Sequence, residues 1–149
     1  MLVSEYNILE LIPHKPPMVM VDRLLLCNET RGVTVLNIRE DILFCENGHF
    51  SAAGMIENMA QTAAARLGWL MKEKAGGEKI KAPVGVIGSV KNFRLHFNPE
   101  VGSDLVTTIH IEHEMLMATV LTGKVEVDGQ LAAEAELQIF LTDDQSMMT

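Results

Sequence analysis

The sequence predicts an α+β fold in which an antiparallel β-sheet wraps around one long central helix. Three observations support this prediction. A strand hairpin pattern comes first, one long apolar helix pattern follows from Ser51, and only strand patterns remain after it. The apolar face of the helix is rich in alanine, and small side chains let a sheet approach closely and curl around it. We therefore expect residues 1–149 to form a single domain.

Two patterns precede the long helix. The segment SEYNILELIPH indicates a short helix with Ser4 as its N-cap and Pro13 at its end. The apolar runs MVMVDRLLL and GVTVLNI flank CNETRG, where Gly32 is expected to supply the turn of a β-hairpin. We expect the short helix to pack over the domain as a lid.

The long helix is predicted to begin after Ser51 as its N-cap and to end at Gly76 and Gly77. Its apolar positions recur at the spacing of one helix face. The residues predicted on that face are Ile56, Met59, Ala60, Ala63, Leu67, Leu70 and Met71. This face should pack against the sheet.

The chain after the helix is predicted to be strand. The four runs are APVGVIGSVKNFRLHF, DLVTTIHIEHE, MATVLTGKVEV and QLAAEAELQIFL. Asp128-Gly129 is a two-residue hairpin signal between the last two runs, which should therefore be adjacent and antiparallel. The tail TDDQSMMT is expected to fray.

Composition excludes several classes of function. Twelve basic and twenty acidic residues give a net charge of −8, which disfavours nucleic acid as a partner. No apolar run approaches a membrane span and the N-terminus lacks a secretion signal, so we expect a cytoplasmic protein that does not bind membranes. Cys27 and Cys45 match no zinc or CxxC pattern, which favours reduced structural thiols.

One short segment, MKEKAGGEKIK, concentrates positive charge. Its lysines are Lys72, Lys74, Lys79 and Lys81. A local basic patch could bind an acidic protein despite the negative total, because screening limits charge effects to about 10 Å. A solvated loop after a helix is the more common interpretation.

The segment NGHFSAAGMIEN places a histidine and a carboxylate on either side of the predicted helix start. His49 lies in the loop that enters the helix, and histidine is well suited to removing a proton near neutral pH. Glu57 lies at the border of the apolar face beside short side chains, which favours proton donation. Unpaired amides at the helix start could hold a developing oxyanion. A simpler interpretation stays open, in which Glu57 stabilises the helix dipole and His49 is solvated.

The remaining sequence gives no sign of a metal or an organic cofactor. His110 and His113 are three apart in a predicted strand, so they should face opposite sides and not share a metal. His96 is expected to be structural. A glycine-rich phosphate loop, a nucleotide fingerprint and a GxSxG motif are all missing, which predicts chemistry without a cofactor.

Three segments resemble one known family. LIPHKPPMVMVDRLL resembles the opening motif LPHRYPFLLVDRV of the 3-hydroxyacyl-ACP dehydratases, the hotdog-fold enzymes of fatty-acid synthesis. GHF followed by IENMAQTAA resembles their GHFPxxPxMPGVLxxEAMAQ segment. IGSVKNFRLHFNPEVGSDL and GKVEVDGQLAAEAEL resemble their closing strands. The resemblance covers nearly the whole chain and implies a hotdog fold.

The resemblance also implies an activity. The chain would be a hydro-lyase that converts a 3-hydroxyacyl thioester on acyl carrier protein to the trans-2-enoyl thioester, in fatty-acid or polyene and pigment biosynthesis. His49 would be the base, Glu57 the acid across a dimer interface, and Gly54 the nearest substitute for the glycine that holds the thioester oxygen. Phe50, beside His49, is placed with Gly54 among the substrate-binding residues. His14 in the opening motif is interpreted as structural. A homodimer or a trimer of dimers is implied.

The chain departs from the family pattern between the histidine and the glutamate. HFSAAGMIE separates them by eight positions where the family has fourteen, and the PxxPxMPG turn is missing. This suggests a divergent member that resembles dehydratase-like proteins of polyene or pigment pathways. Two alternatives stay open. One is a hotdog thioesterase with Glu57 as nucleophile or as base for water, and the other is a non-catalytic subunit that binds acyl chains or stabilises an active partner.

Overall fold

The computed structural model describes residues 7–78 and 81–142. Within these ranges the elements, in chain order, are a 3-10 helix Ile8–Glu10, β1 Arg23–Cys27, β2 Arg31–Asn37, β3 Cys45–Glu46, β4 His49–Phe50, α1 Ala52–Lys74, β5 Val84–Leu95, β6 Asp104–Glu114, β7 Ala118–Val127 and β8 Gln130–Thr142. Six strands form one antiparallel sheet in the order β1-β2-β6-β7-β8-β5, and β3 pairs with β4. Of the tail that was expected to fray, Thr142 is the last residue of β8, and residues 143–149 lie outside the described residues.

The long helix α1 packs against all six strands of the large sheet, which confirms the predicted architecture. Met55 and Met59 of α1 are fully buried in a core with Leu105 and Leu121 of the sheet. Gly123 makes room for this packing, because a Cβ built there would lie 2.8 Å from the sulfur of Met59. In the part of the chain that is described, no helix has the length and apolar content to cross a membrane.

Both ends of α1 follow the prediction. The Ser51 hydroxyl accepts a hydrogen bond of 3.2 Å from the Gly54 amide, as an N-cap does. At the other end Gly76 and Gly77 adopt φ values of 68° and 86°, which glycine reaches without steric cost. Their amides donate to carbonyl oxygens of the last helical turn at 3.1 and 2.9 Å.

The first helix is shorter than the sequence pattern predicts. The predicted N-cap Ser4 lies outside the described residues, and the cap of the 3-10 helix is Asn7. Its side chain accepts from the Leu9 amide while the Glu10 carboxylate accepts from the Asn7 amide, which is a capping box. These local bonds favour a single turn at this place.

The hairpin forms as predicted, but two details of the prediction were wrong. The first strand begins at Arg23 and not at Met18, because the backbone before it bonds to side chains of α1 instead of to a strand. Gly32 pairs within β2, and the turn is made by Asn28, whose side chain accepts from the Thr30 amide. Gly32 has a packing role, since a Cβ there would lie 3.1 Å from Cβ of Arg66.

The buried face of α1 also differs from the predicted one. Of the predicted apolar set only Met59 is fully buried, and Met71 is exposed. The helix instead buries five polar side chains, namely Asn58, Gln61, Thr62, Arg66 and Lys72. They can be buried because each makes hydrogen bonds within the chain. The alanine-rich stripe is left half-buried beside a cavity.

Two surface predictions also change. Lys72 is buried and pairs with Glu10 at 3.3 Å, so it does not belong to a solvated basic patch, and Lys79 lies outside the described residues. His110 and His113 face the same side of the sheet, contrary to prediction, because a bulge in β6 lies between Ile111 and His113 and shifts the alternation by one residue. Among the described residues, no group of three or more potential ligands is close enough to hold a metal ion.

Candidate active site

A cavity of about 190 Å³ lies between α1 and the β5 side of the sheet. Its helix wall is the alanine-rich stripe, made of Ala60, Ala63, Ala64 and Leu67. Its sheet wall comes mainly from Gly85, Val86, Ile87, Ile139 and Leu141. Glu57 and His14 add polar atoms to this lining, as do Arg66 and Glu114. An apolar cavity with a few polar groups is the usual form of a small-molecule site.

The polar residues are spread along the helix wall. Glu57 lies about one turn before Ala60 and two turns before Ala64, whereas Arg66 lies about two and a half turns after Glu57, beside Leu67. At 1.5 Å per residue the stretch from Glu57 to Leu67 is roughly 15 Å long. The carboxylate and the buried cation therefore lie toward opposite ends of the cavity's helix wall.

Glu57 contacts two side chains through one of its oxygens. Oε1 accepts a hydrogen bond of 3.2 Å from Nε2 of Gln61, one turn further along α1. Nε2 of His14 lies 3.4 Å from the same Oε1. The side chains of His14 and Glu57 are 11% and 24% exposed, so this contact is mostly shielded from bulk water. Sequence analysis placed His49, and not His14, beside this carboxylate.

The N-terminal segment of residues 8–20, here called the strap, brings His14 to Glu57. The strap lies along α1 and is bonded to it at several points. Gln61 accepts from the Met20 amide at 2.6 Å and donates to the Met18 carbonyl oxygen at 2.7 Å. Asn58 donates to the Met20 carbonyl oxygen at 2.7 Å. Because these amides satisfy the strap's backbone inside the domain, they fix its position against the helix.

The same polar cluster extends into the sheet. The Thr107 hydroxyl donates to Oδ1 of Asn58, and the Thr62 hydroxyl donates to the Asn58 carbonyl oxygen at 2.8 Å. Thr34 and Thr62 share a hydrogen bond of 2.7 Å. One buried hydrogen-bond network therefore joins the strap, α1 and two strands. It holds the part of the helix near Glu57 in one position on the sheet.

His49 lies elsewhere in the chain. Its side chain is 49% exposed, its Nδ1 is 3.0 Å from the Asn47 carbonyl oxygen, and its Nε2 is 4.0 Å from Oε1 of Glu100. It lines a separate, more polar hollow together with Ser51 and Phe97. Within one chain the predicted base and the predicted acid therefore open onto different hollows.

The two predicted substrate-binding residues are tightly packed. Phe50 is fully buried, and its ring lies where a side chain at position 54 would have to go, 2.5 Å from a Cβ built on Gly54. The Gly54 amide already donates to the Ser51 hydroxyl, so this donor is occupied in the chain. The amides of Ala52 and Ala53, in the same first turn, have no acceptor within the helix.

Arg66 forms a buried cationic site next to the cavity. Its side chain is 3% exposed, and its guanidinium donates to the carbonyl oxygens of Asn28 and Glu29 and to Oε2 of Glu114 at 3.4 Å. These bonds hold the β1–β2 turn against the helix. The positive charge of Arg66 can be buried because each nitrogen of its guanidinium has an oxygen partner.

The cysteines lie outside the cavity lining. Burial raises the pKa of the Cys27 thiol from 9.0 to about 11, against the lowering effect of the Arg66 guanidinium. Burial, helped by Asp41 and Glu40, also raises the pKa of Cys45. Neither cysteine forms a disulfide, as the sequence predicted. A raised pKa suits packing residues and not nucleophiles.

Sequence reasoning missed the strap contacts. His14 was interpreted as structural, and Gln61 and Asn58 were given no role. The available signal was the run of polar residues inside an apolar helix, with Glu57 and Gln61 four positions apart on one face. Nothing local in the sequence indicates that the Met18–Met20 backbone is their partner.

Comparison with known proteins agrees with this architecture. The dehydratase heterocomplex ApeI:P from Xenorhabdus doucetiae has a chain that superposes with a TM-score of 0.85 at 20% identity, covering 96% of this chain and 95% of that one. A protein of Helicobacter felis homologous to HP0420 gives a TM-score of 0.68 at 14% identity, covering 96% of this chain and 94% of that one. The long helix wrapped by an antiparallel sheet defines the chain as a hotdog-fold protein.

Sequence relatives define the family more closely. The chain is 32% identical to the 3-hydroxyacyl-[acyl-carrier-protein] dehydratase FabZ of Paramagnetospirillum magneticum, over 93% of this chain and 87% of that protein. It is 31% identical to the FabZ of Anaeromyxobacter dehalogenans, over 92% of this chain and 89% of that protein. Residues 6–149 match the ApeP-like family, described as ApeP dehydratase. The chain belongs to this ApeP-like family of FabZ-like dehydratases.

Proposed function

We propose that the chain takes part in removing water from a 3-hydroxyacyl thioester carried on acyl carrier protein, with Glu57 as the acid. One observation carries the proposal: Glu57 lines an apolar cavity and is held there through only one of its two carboxylate oxygens. The alanine-rich helix wall and the apolar sheet wall suit an acyl chain. The carboxyl group suits the β-hydroxyl end of such a substrate.

The reaction needs a base, an acid and a donor for the carbonyl oxygen. The base takes the proton from the carbon next to the thioester carbonyl, and the resulting electron pair forms the new double bond. The bond from the β-carbon to the hydroxyl breaks, and the hydroxyl takes a proton from Glu57 and leaves as water. Negative charge that develops on the thioester oxygen requires an oriented N–H donor.

His49 is proposed as the base of a site shared between two chains. In one chain His49 and Glu57 open onto different hollows, so the pair requires a second hotdog chain to bring them together. The edge strand β5 supports this arrangement: in the described part of the chain it pairs only with β8, while Val90 and Leu95 are exposed. Since Gly85, Val86 and Ile87 of the same strand line the cavity, a chain paired along β5 would lie beside it.

The second chain can be a copy or a different hotdog protein. A homodimer, or a trimer of dimers, is the arrangement expected from the resemblance. The similar chain from Xenorhabdus doucetiae belongs to a heterocomplex, which supports considering a different partner as well. For the thioester oxygen, Ala52 and Ala53 offer first-turn amides, while the Gly54 amide is occupied by Ser51.

The decisive experiment supplies the purified chain with a 3-hydroxyacyl thioester on acyl carrier protein and, separately, on coenzyme A. We expect enoyl absorbance in the ultraviolet to rise without release of free thiol. Glu57→Gln should reduce the rate by roughly 100-fold or more, and Glu126→Gln, on the sheet, should leave it unchanged. Release of thiol without enoyl product would instead establish a thioesterase.

The exposed position of His49 favours one other candidate, a subunit that works only with an active partner chain. In that case the purified chain alone would give neither enoyl product nor thiol. Adding a second hotdog chain would restore the reaction, and Glu57→Gln in this chain would not reduce it. If Glu57→Gln in this chain lowers the restored rate, the chain itself contributes the catalytic acid.

A further inference from the structure

Glu57 presents its two carboxylate oxygens differently. Oε1 receives both Gln61 Nε2 and His14 Nε2, whereas Oε2 has no polar partner among the described residues. An acid that donates a proton to a leaving hydroxyl must carry that proton on an oxygen that substrate can reach. The contacts of His14 and Gln61 therefore decide which oxygen is available.

The orientation of Gln61 is fixed by the strap. Its Oε1 accepts from the Met20 amide and its Nε2 donates to the Met18 carbonyl oxygen, so the amide cannot be reversed without losing both bonds. Gln61 Nε2 is therefore a donor toward Glu57, and Glu57 Oε1 is an acceptor. With donors directed at Oε1, a transferable proton on the carboxyl group is favoured on Oε2.

The protonation of the His14 ring follows from the same geometry. A lone pair on Nε2 would face the lone pairs of Glu57 Oε1 at 3.4 Å, so the proton belongs on Nε2. The other nitrogen, Nδ1, is buried and has no hydrogen-bond partner among the described residues. Since Nδ1 is closed off, the ring has no accessible basic nitrogen with which to attack a substrate.

We propose that His14 is a positioning residue for Glu57, acting through its Nε2–H. The strap delivers this N–H to Oε1, and together with Gln61 it leaves Oε2 as the oxygen that faces the cavity and carries the proton. This inference rests on the proposed dehydratase function and deepens it. It gives the opening motif of the sequence a role in the reaction, although His14 itself does not touch the reacting atoms.

Three substitutions separate this role from simple packing. His14→Gln places an amide N–H close to the position of Nε2, His14→Asn places one close to Nδ1, and His14→Leu places none. We expect His14→Leu and His14→Asn to lower kcat by roughly 10- to 100-fold, while KM changes by less than about 2-fold. His14→Gln should recover most of the loss. His113→Gln, at an exposed site on β6, is the matched control and should retain wild-type kcat.

Equal kcat in wild type and His14→Leu would overturn the proposal, as would equal losses in His14→Gln and His14→Asn. Nuclear magnetic resonance of the ring nitrogens gives a readout that needs no activity. We expect the proton of His14 on Nε2, and a shift of the Nε2 resonance on Glu57→Leu but not on Glu100→Gln, which lies beside His49. A proton on Nδ1, or no response to Glu57→Leu, would refute the positioning contact even if the His14 variants fail to fold.

The two proposals can fail separately. Absence of dehydration by the wild-type chain, with or without a partner, would end the dehydratase proposal, while the His14 resonance would still report the contact with Glu57. Dehydration by His14→Leu at the wild-type kcat would end the positioning role and leave the dehydratase proposal standing.

Discussion

Gly68 allows the backbone of Leu11 to lie directly against α1. A Cβ built on Gly68 would overlap the Leu11 carbonyl oxygen and lie 2.8 Å from the carbonyl carbon. Both of these atoms belong to backbone, so a side chain at position 68 would have to push the strap away as a whole. Leu11 lies three residues before His14 in the strap, so this close approach to the helix helps to position His14 beside Glu57.

Gly68→Ala should therefore destabilise the protein and disturb the candidate site together. Although alanine favours helix, we expect a net loss of about 1–3 kcal/mol in the free energy of unfolding, because the neighbouring backbone must shift. Urea unfolding measures this loss. Glu73→Ala, at an exposed position of the same helix, should change stability by less than about 0.5 kcal/mol. A stable Gly68→Ala protein would show that the strap can move freely.

Gln61→Leu should loosen the strap on α1, where Asn58 still binds the Met20 carbonyl oxygen. The change leaves the Met20 amide and the Met18 carbonyl oxygen without their partner, and each unpaired buried group costs about 1–3 kcal/mol. We expect a loss of at least 2 kcal/mol in urea unfolding and faster hydrogen exchange at the Met20 amide. Gln130→Leu, an exposed residue, is the control. Unchanged exchange at Met20 would mean that another group holds the strap.

The helix wall of the cavity should set which acyl chains are accepted. Ala63→Leu adds volume to the wall and should reduce turnover of long-chain substrates more than of short ones. Leu67→Ala removes volume from the same wall and should shift the preference toward longer chains. Each change should alter the ratio of kcat/KM for a long-chain substrate to kcat/KM for a short-chain substrate by roughly 10-fold or more. If both variants keep the wild-type ratio, this cavity does not hold the acyl chain.

A site shared between two copies predicts complementation. His49→Ala and Glu57→Gln should each be nearly inactive, but half of the dimers formed after mixing would contain one chain of each variant. Every such dimer would have one intact site, so activity should recover to roughly a quarter of the wild-type value. Recovery is measured from enoyl absorbance after joint refolding of the two variants. If activity does not recover, His49 and Glu57 do not form a site shared between two copies of this chain.

Cys27 should resist alkylation in the folded protein. With its pKa raised by burial from 9.0 to about 11, its thiolate fraction at pH 8 is roughly 100-fold below that of an ordinary thiol. The unfolded chain loses this proton at lower pH than the folded one. The stabilising effect of the buried thiol is therefore present below pH 9 and is lost as pH rises from 9 through about 11.

Urea unfolding at intervals across this pH range, compared between wild type and Cys27→Ala, measures the contribution of the thiol. Mass spectrometry after iodoacetamide treatment gives the alkylation. Rapid native labelling of Cys27 at pH 8 would contradict its burial.

The features that the sequence predicted correctly depend on nearby residues. Ser51 caps α1, Gly76 and Gly77 end it, and Asp128-Gly129 turns the chain between β7 and β8. Each of these signals involves residues within a few positions of one another, where local steric preference and hydrogen bonding decide the structure.

The features that the sequence did not predict depend on distant residues. The Met20 amide and Gln61 are 41 positions apart, so the pattern around either one gives no hint of the other. The prediction of the buried face of α1 was wrong for the same reason. Asn58 and Thr62 can be buried only because the strap and the sheet supply their hydrogen-bond partners. The contact of His14 with Glu57 depends on this packing of the strap on the helix. Neither the opening motif that contains His14 nor the helix segment that contains Glu57 predicts it alone.

The outermost strand β5 serves two surfaces at once. Its first residues line the hollow beside the helix, and its outer backbone has no neighbour within the described chain. Under the proposed arrangement, a change in β5 that alters the pairing of two chains would also reshape the space for an acyl chain. Assembly and substrate selectivity would then change together.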